Sequence, residues 1–258
     1  MKRITSLILA VCLMCCVLSA CESQTPYQLV SAALEKTNTL NDMDAVMEMS
    51  ITAEANGQSL TIPMTLTVKA SQMQSDNPKM LMGLSMKMDI AGFSTDISMD
   101  IYFADGWAYV GTGGSGYKVN ASDMQDRLGS NISTDMVMQT LPEELLNKSE
   151  IKKNPDGSQT VSASIDGETF STLYKELIDT MNSATDTDVS GLTVSDAVVT
   201  VTVKDGYISV YDMDFTMNID VSGTTVKSTA TASVTYNDPG KAVTVTPPAG
   251  YLDFSEIG

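Results

Sequence analysis

The cysteines of this chain are the residues whose type and placement carry the clearest chemistry. All four fall within the first twenty-one residues, and Cys21 closes the run Leu-Ser-Ala-Cys at residues 18–21. Lys2 and Arg3 precede an apolar run over residues 4–17, which is the layout of a secretory signal peptide. That run is shorter than the roughly 20 residues that span a bilayer, so a transmembrane anchor is the weaker interpretation.

The run that ends at Cys21 resembles the lipobox of bacterial lipoproteins, after which a signal peptidase cuts so that the cysteine becomes the first residue. The resemblance implies a diacylglyceryl thioether on the Cys21 sulfur. The expected organisation is a signal peptide at 1–20, a short tether at 21–25 and a single domain at 26–258, which is long enough to bury a core without disulfides. Two or more acyl chains hold a protein at a membrane durably. We therefore expect a location on the outer, extracytoplasmic side of the bacterial cell membrane. The alternative is an ordinary signal peptide whose cysteine is incidental.

Composition argues against several classes of function. The chain carries a formal net charge of −17 and has no histidine. The histidine general base, the Cys-His nucleophile and the zinc site of mixed histidine and cysteine are therefore missing from the mature domain. Nucleic-acid binding needs lysine and arginine to neutralise phosphates, so we expect no nucleic-acid partner.

The acidic pairs are weak candidates for calcium ligands. They are Asp42 with Asp44, Asp186 with Asp188, and Asp212 with Asp214. None fits the twelve-residue calcium loop with its central glycine and terminal glutamate. Paired carboxylates could also serve a glycosidase, but a single tryptophan and few aromatic residues make a poor sugar platform. The sequence predicts no metal, no cofactor and no enzyme, although a Ser-Lys pair stays open.

The helices of the domain are predicted from caps and from a period of 3.6 residues. Thr25 is a suitable N-cap with Pro26 at the first helical position, which predicts a helix over residues 26–40. Residues 168–182 carry one apolar stripe and predict a second helix. Shorter helical segments are predicted at 122–129, 133–140 and 142–147, with Ser122, Ser133 and Pro142 at their starts.

From residue 43 the apolar residues alternate with polar ones, which predicts antiparallel strands with one buried and one solvent-exposed face. Asn56-Gly57 and Asp105-Gly106 predict tight hairpin turns. A second set of strands starts near Val199, with a β-bulge where the apolar parity slips near Tyr211 and a last strand at 242–246. A hairpin is also predicted around residues 154–157.

Together these elements predict an α+β fold, in which a curved antiparallel half-barrel of nine to eleven strands carries amphipathic helices on its concave face. This layout resembles LolA and the LppX and LprG type of bacterial lipoprotein carrier, and the lipoproteins of Gram-positive bacteria that share it. The resemblance implies a binding protein for lipids or other apolar molecules.

Methionine is the unusual component of the predicted apolar face, since the chain contains 18 of them. Methionine is flexible and polarisable, which suits a surface that accommodates variable apolar partners. We expect a binding site for a hydrophobic ligand on this face. Its lining residues would be Met80, Met82, Leu84, Met86, Met88, Met99, Met213, Phe215 and Met217. The alternative is that these residues fill a solid core, in a non-catalytic surface module that binds a protein or a cell-wall partner. Thioether binding of Cu(I) is disfavoured, because strand neighbours two apart are roughly 6.6 Å from each other.

Overall fold

The computed structural model describes residues 24–55, 58–90, 93–112, 115–128, 141–173, 193–221 and 224–257. The predicted signal peptide, Cys21, the segment 133–140 and the continuation of the second helix over 174–182 lie outside these residues. Among the described residues, no helix combines the length and apolarity needed to cross a bilayer.

Twelve strands form one sheet in the described part of the chain. The first six are β1 (Met43–Ala55), β2 (Gln58–Ser71), β3 (Lys79–Ile90), β4 (Phe93–Ala104), β5 (Trp107–Thr112) and β6 (Ser115–Asn120). The other six are β7 (Lys152–Lys153), β8 (Gln159–Asp166), β9 (Thr193–Lys204), β10 (Tyr207–Val221), β11 (Thr224–Tyr236) and β12 (Ser255–Glu256).

The sheet consists of two meanders joined along β1 and β11, in the order β12-β6-β5-β4-β3-β2-β1-β11-β10-β9-β8-β7. All pairings between described strands are antiparallel except that of β12 with β6. Because β12 and β7 are the two edges, the sheet is open. The large antiparallel sheet expected from the sequence is confirmed, and it has twelve strands where nine to eleven were predicted.

The turns and irregularities follow the chemistry of their residues. Asp105 and Gly106 both have positive φ, as do Asp205 and Gly206, which is the backbone of a type I′ hairpin turn. The register of β10 on β9 shifts between Ile208 and Val210, close to the predicted bulge. The shift changes which parity faces the core, so that Ile208 and Tyr211 are both buried.

Four α-helices are described: α1 (Pro26–Asn38), α2 (Ala121–Leu128), α3 (Glu143–Leu146) and α4 (Gly167–Leu173). Thr25 caps α1 in a capping box with Gln28, as expected from the N-cap and proline pattern. The start of α2 differs from the prediction, because the Asn120 side chain accepts the Ser122 N–H at 3.0 Å, and Ser122 itself lies inside the helix.

The main hydrophobic core lies between the helices and one half of the sheet. Side chains of α1, α3 and α4 pack with the apolar face of β8, β9, β10, β11 and β1. Ile165, Val199 and Val201 are at most 2% exposed there. A smaller core on the same face joins Met124 of α2 to Ile101, Ala108, Val110 and Val119.

The predicted last strand at 242–246 is wrong. These residues are not a strand, and the chain continues past them to β12, which pairs with β6 at the far edge of the sheet. The physical reason is that β1 and β10 already occupy both sides of β11, so a following strand finds no free edge there. Instead, Tyr251 packs nearly perpendicular to Tyr102 and Tyr109 on the other face, with ring centroids 5.2 and 5.0 Å away.

Candidate ligand-binding face

The strand register places every predicted lining residue on the same face of the sheet. On β3 and β4, Leu84 lies opposite Met99, and Leu66 of β2 lies opposite Leu84. The face continues through β1 and β11 to β10, where Met213 is the partner of Ala232. A single apolar surface therefore extends from β6 to β8.

This surface is nevertheless divided between two environments. Met213 and Met217 are 5% and 3% exposed and belong to the main core under the helices. Phe215 packs against that core, with its ring centroid 5.2 Å from that of Phe170 in α4. The structure therefore places these three predicted residues in the helix-covered half of the sheet, several strands away from the other six.

The other six predicted residues lie in the N-terminal half of the sheet and are only partly buried. They are Met80, Met82, Leu84, Met86, Met88 and Met99. Met82 and Met99 pack against the smaller core. Met80, Leu84, Met86 and Met88 belong to none of the core clusters of the described residues. They form the part of the face that is apolar and still accessible.

Two further methionines, which the sequence prediction did not include, complete this region. Met64 of β2 lies directly opposite both Met49 of β1 and Met86 of β3, so three thioether side chains form a row across three strands. We call Met49, Met64, Met86 and Met88 the methionine patch. The signal for Met49 was present in the sequence, because a two-residue loop at 56–57 fixes its partner as Met64.

Polar side chains occupy the opposite surface of the same strands. Thr52 and Thr61 are joined through their hydroxyl oxygens at 2.9 Å, and Lys87 Nζ lies 3.5 Å from an oxygen of Asp89. The pKa of Asp89 is lowered, first by a hydrogen bond from Ser94 and then by the Lys87 ammonium. One side of the sheet is thus hydrated while the methionine side is apolar.

A cleft of about 190 Å³ lies between the middle of β4, the end of β5, the start of β6 and the C-terminal segment. Ser98, Asp100, Thr112 and Ser115 contribute polar groups to it, and Phe254 closes one side. Met99 also borders this cleft. Its small volume and polar walls make it a poor place for a long apolar ligand.

A model described as a family of unknown function, DUF6612, matches residues 25–250. The chain belongs to DUF6612. The match covers the whole sheet except β12, so the DUF6612 region includes both the helix-covered half and the methionine patch.

Solved structures similar to the DUF6612 chain are distant in sequence and in superposition. LprF from Mycobacterium bovis is 12% identical with a TM-score of 0.43, covering 87% of this chain and 97% of LprF. A putative outer membrane lipoprotein-sorting protein domain from Vibrio parahaemolyticus is 11% identical with a TM-score of 0.23, covering 86% and 94% respectively. The comparison with curated proteins gives no match.

The acidic pairs do not come together as a metal site in the described part of the DUF6612 chain. No group of three or more aspartates or glutamates is placed there to hold an ion. Asp212 accepts a hydrogen bond from Ser233 Oγ at 2.6 Å, and Asp44 Oδ2 lies 3.3 Å from Lys69 Nζ. Asp186 and Asp188 lie outside the described residues.

Proposed function

We propose that this domain is an extracytoplasmic carrier that binds a lipid or another apolar molecule on the methionine patch. The observation that carries the proposal is an apolar surface left partly exposed beside two filled cores on the same face of the sheet. Exposed apolar area of this kind costs free energy in water, and a bound alkyl chain recovers it. Methionine side chains adapt to chains of different length and shape.

The methionine patch is the centre of the proposed site. Leu84, Met82 and Met99 extend it toward the smaller core, and Met80 continues it along β3. Met213, Phe215 and Met217 support it indirectly, because they anchor the neighbouring half of the same sheet under α1 and α4. The proposed role is binding and transfer without catalysis.

Native mass spectrometry of the protein extracted from membranes tests this proposal first. The expected result is a co-purified lipid mass, together with saturable uptake of a fluorescent fatty acid by the delipidated protein. The absence of both would overturn the carrier and favour the alternative, a surface module for a protein or cell-wall partner.

A matched pair of variants locates the site. Met86→Glu places a charge within the methionine patch, whereas Ser85→Glu places the same charge on the polar surface one residue away on β3. We expect Met86→Glu to abolish fatty-acid uptake because a charge in an apolar site is costly, and Ser85→Glu to retain it. Equal uptake by the two variants would place the ligand elsewhere.

The proposed location rests on Cys21 and is tested separately. We propose that the thioether lipid on this residue holds the carrier at the outer side of the membrane. Metabolic labelling with a radioactive fatty acid should mark the wild-type protein, whereas Cys21→Ser should lose the label. An unlabelled wild-type protein would contradict the anchor and leave the binding proposal intact.

A further inference from the structure

Three glycines and an aspartate form one row across the polar surface of the sheet. Gly83 of β3 is the register partner of Asp100 of β4. Asp100 is in turn the partner of Gly111 of β5, which is the partner of Gly116 of β6. A glycine in a strand leaves space above the backbone in which another group can approach closely. We call these four residues the glycine row.

Side chains from neighbouring segments fill both ends of the glycine row. A Cβ added at Gly83 would lie 2.7 Å from Thr67 Oγ1 and 3.1 Å from Asp100 Oδ1. A Cβ added at Gly116 would overlap the ring of Phe254, which belongs to the C-terminal segment. The cleft of about 190 Å³ lies between these ends, since Asp100 and Phe254 are both among its walls.

The walls of this cleft combine hydrogen-bond acceptors with an aromatic ring. The ionised carboxylate of Asp100 accepts hydrogen bonds and donates none, and the hydroxyls of Ser98, Thr112 and Ser115 can accept as well. A ring such as that of Phe254 attracts a cation placed over its face. The chain also carries a formal net charge of −17, which raises the concentration of cations near its surface. The cleft therefore favours a positively charged ligand with N–H donors.

The lysine of β6 does not neutralise Asp100. Lys118 lies on the same surface, but its Nζ is 4.5 Å from the centroid of the Trp107 ring and 3.5 Å from Glu256 Oε2. Within the part of the chain that the structure describes, the ion pairs formed by lysine do not include Asp100. A cation from outside the chain would supply the charge that this carboxylate lacks.

We propose that the cleft binds a small organic cation with a primary ammonium group, which donates to the Asp100 carboxylate and lies against the ring of Phe254. Pro248 and Ala249 supply apolar surface for the carbon atoms of the ligand. The volume is below the roughly 300 Å³ at which drug-sized ligands are bound, so the ligand is small. This inference goes beyond the carrier function, because the cleft lies on the surface opposite the methionine patch.

Titration with butylammonium in amine-free buffer tests whether the cleft takes such a ligand. In protein labelled at its glycine nitrogens, magnetic resonance reports on the cleft through the amide of Gly111 and on a distant turn through that of Gly206. We expect a saturable shift of the Gly111 signal and an unchanged Gly206 signal. Butanol and butyrate, which have a short carbon chain without the positive charge, should shift neither. An equal shift with butanol, or no saturable shift with butylammonium, would overturn the proposal.

Two aspartates on β4 provide a matched pair of variants. Asp96 is exposed on the same surface as Asp100, but it is the register partner of Lys87 and lies outside the cleft. Asp100→Asn should weaken butylammonium binding by about fivefold, the upper range for an ion pair open to solvent. Asp96→Asn should bind as the wild type does, and circular dichroism should show that both variants fold. Wild-type affinity in Asp100→Asn would overturn the proposal.

Substitutions of Phe254 test the contribution of its ring. Phe254→Leu keeps an apolar side chain over Gly116 and removes the ring, whereas Phe254→Tyr keeps the ring. We expect Phe254→Leu to weaken butylammonium binding by about threefold, the scale of an exposed cation–π contact, and Phe254→Tyr to retain the wild-type affinity. If both variants bind equally well, the ring takes no part in binding and this element of the proposal is wrong.

Discussion

The two halves of the sheet share one alternating pattern and differ in what covers it. Under α1, α3 and α4 the face consists largely of valine, alanine and isoleucine, and it is closed to solvent. From β2 to β4 methionine and leucine are the commonest residues at the corresponding positions, most of which are at least partly exposed, although Ile101 is buried. Valine and isoleucine have few rotamers and pack in one fixed way, whereas methionine adapts. One half is therefore packed as a core, while the other keeps apolar surface accessible, and the proposed carrier function rests on this difference.

Truncating one methionine in each half gives the largest expected contrast. Met213→Ala should lower the free energy of unfolding by about 3 kcal/mol, because a buried side chain leaves a cavity. Met86→Ala should cost about 1 kcal/mol, since Met86 is already partly exposed. Urea denaturation of both variants measures the difference. Equal losses would show that the methionine patch is packed as tightly as the main core.

A glycine at the start of α4 tests how closely the helices approach the covered half. A Cβ at Gly167 would overlap the carbonyl oxygen of Val194 in β9, which is backbone and cannot rotate away. We expect Gly167→Ala to lower the thermal midpoint, with a loss of about 2 kcal/mol. Gly116→Ala is the control outside this half, where the atoms nearest to the new Cβ belong to the side-chain ring of Phe254, which can shift. A larger loss in the control would contradict the tighter packing under α4.

A threonine at the end of α1 joins that helix to the covered half through hydrogen bonds. The buried Thr37 Oγ1 donates to Ala33 O at 2.7 Å and accepts the Ile208 N–H at 3.0 Å. Ile208 lies beside the bulge of β10, so Thr37 satisfies a donor in an irregular stretch of the strand. Thr37→Val should therefore cost about 1.5 kcal/mol by leaving that buried N–H unpaired.

The exposed Thr39 provides the control for this substitution. Its hydroxyl donates only to Lys36 O at 2.9 Å, where water can replace it. Thr39→Val should change the free energy of unfolding by less than about 0.5 kcal/mol in the same denaturation experiment. A comparable loss in both threonine variants would mean that the contact with Ile208 adds little.

Local residues determined most of what the sequence predicted correctly. The Thr25 cap, the Asp105-Gly106 turn and the parity slip near Tyr211 each depend on a few neighbouring residues, and all three are confirmed. Alternation also placed the predicted lining residues on one face of the sheet. These features could be predicted because turn chemistry and strand period act over short distances along the chain.

The errors concern contacts between distant parts of the chain. The segment 242–246 has the residues of a strand, but the pairing of β1 with β11 removes the edge it would need. The alternating pattern likewise could not predict that Met213 is buried under the helices whereas Met86 is partly exposed. Burial depends on which strands the helices cover, and that depends on the order of strands in the sheet.

Acid pH should produce the smallest difference in stability between the two halves. Each half carries an aspartate with a lowered pKa, and both aspartates are exposed to solvent. Hydrogen bonds from the side chain and backbone of Ser158, together with Lys204, lower the pKa of Asp156 from 3.8 to about 2. In the other half Ser94 and Lys87 lower the pKa of Asp89. A carboxyl with a lowered folded-state pKa stabilises the protein above its unfolded pKa, and this contribution disappears as the pH falls through the folded value.

We therefore expect Asp156→Asn to remove a small part of the stability loss between about pH 4 and pH 2, and Asp89→Asn to change the acid sensitivity in the same direction. Thermal midpoints measured across this range should converge for wild type and variants at the acid end. Both carboxyls are on the surface, so salt should weaken the contributions of Lys204 and Lys87 alike. An acid sensitivity confined to Asp156 would mean that the two halves differ in surface charge as well as in packing.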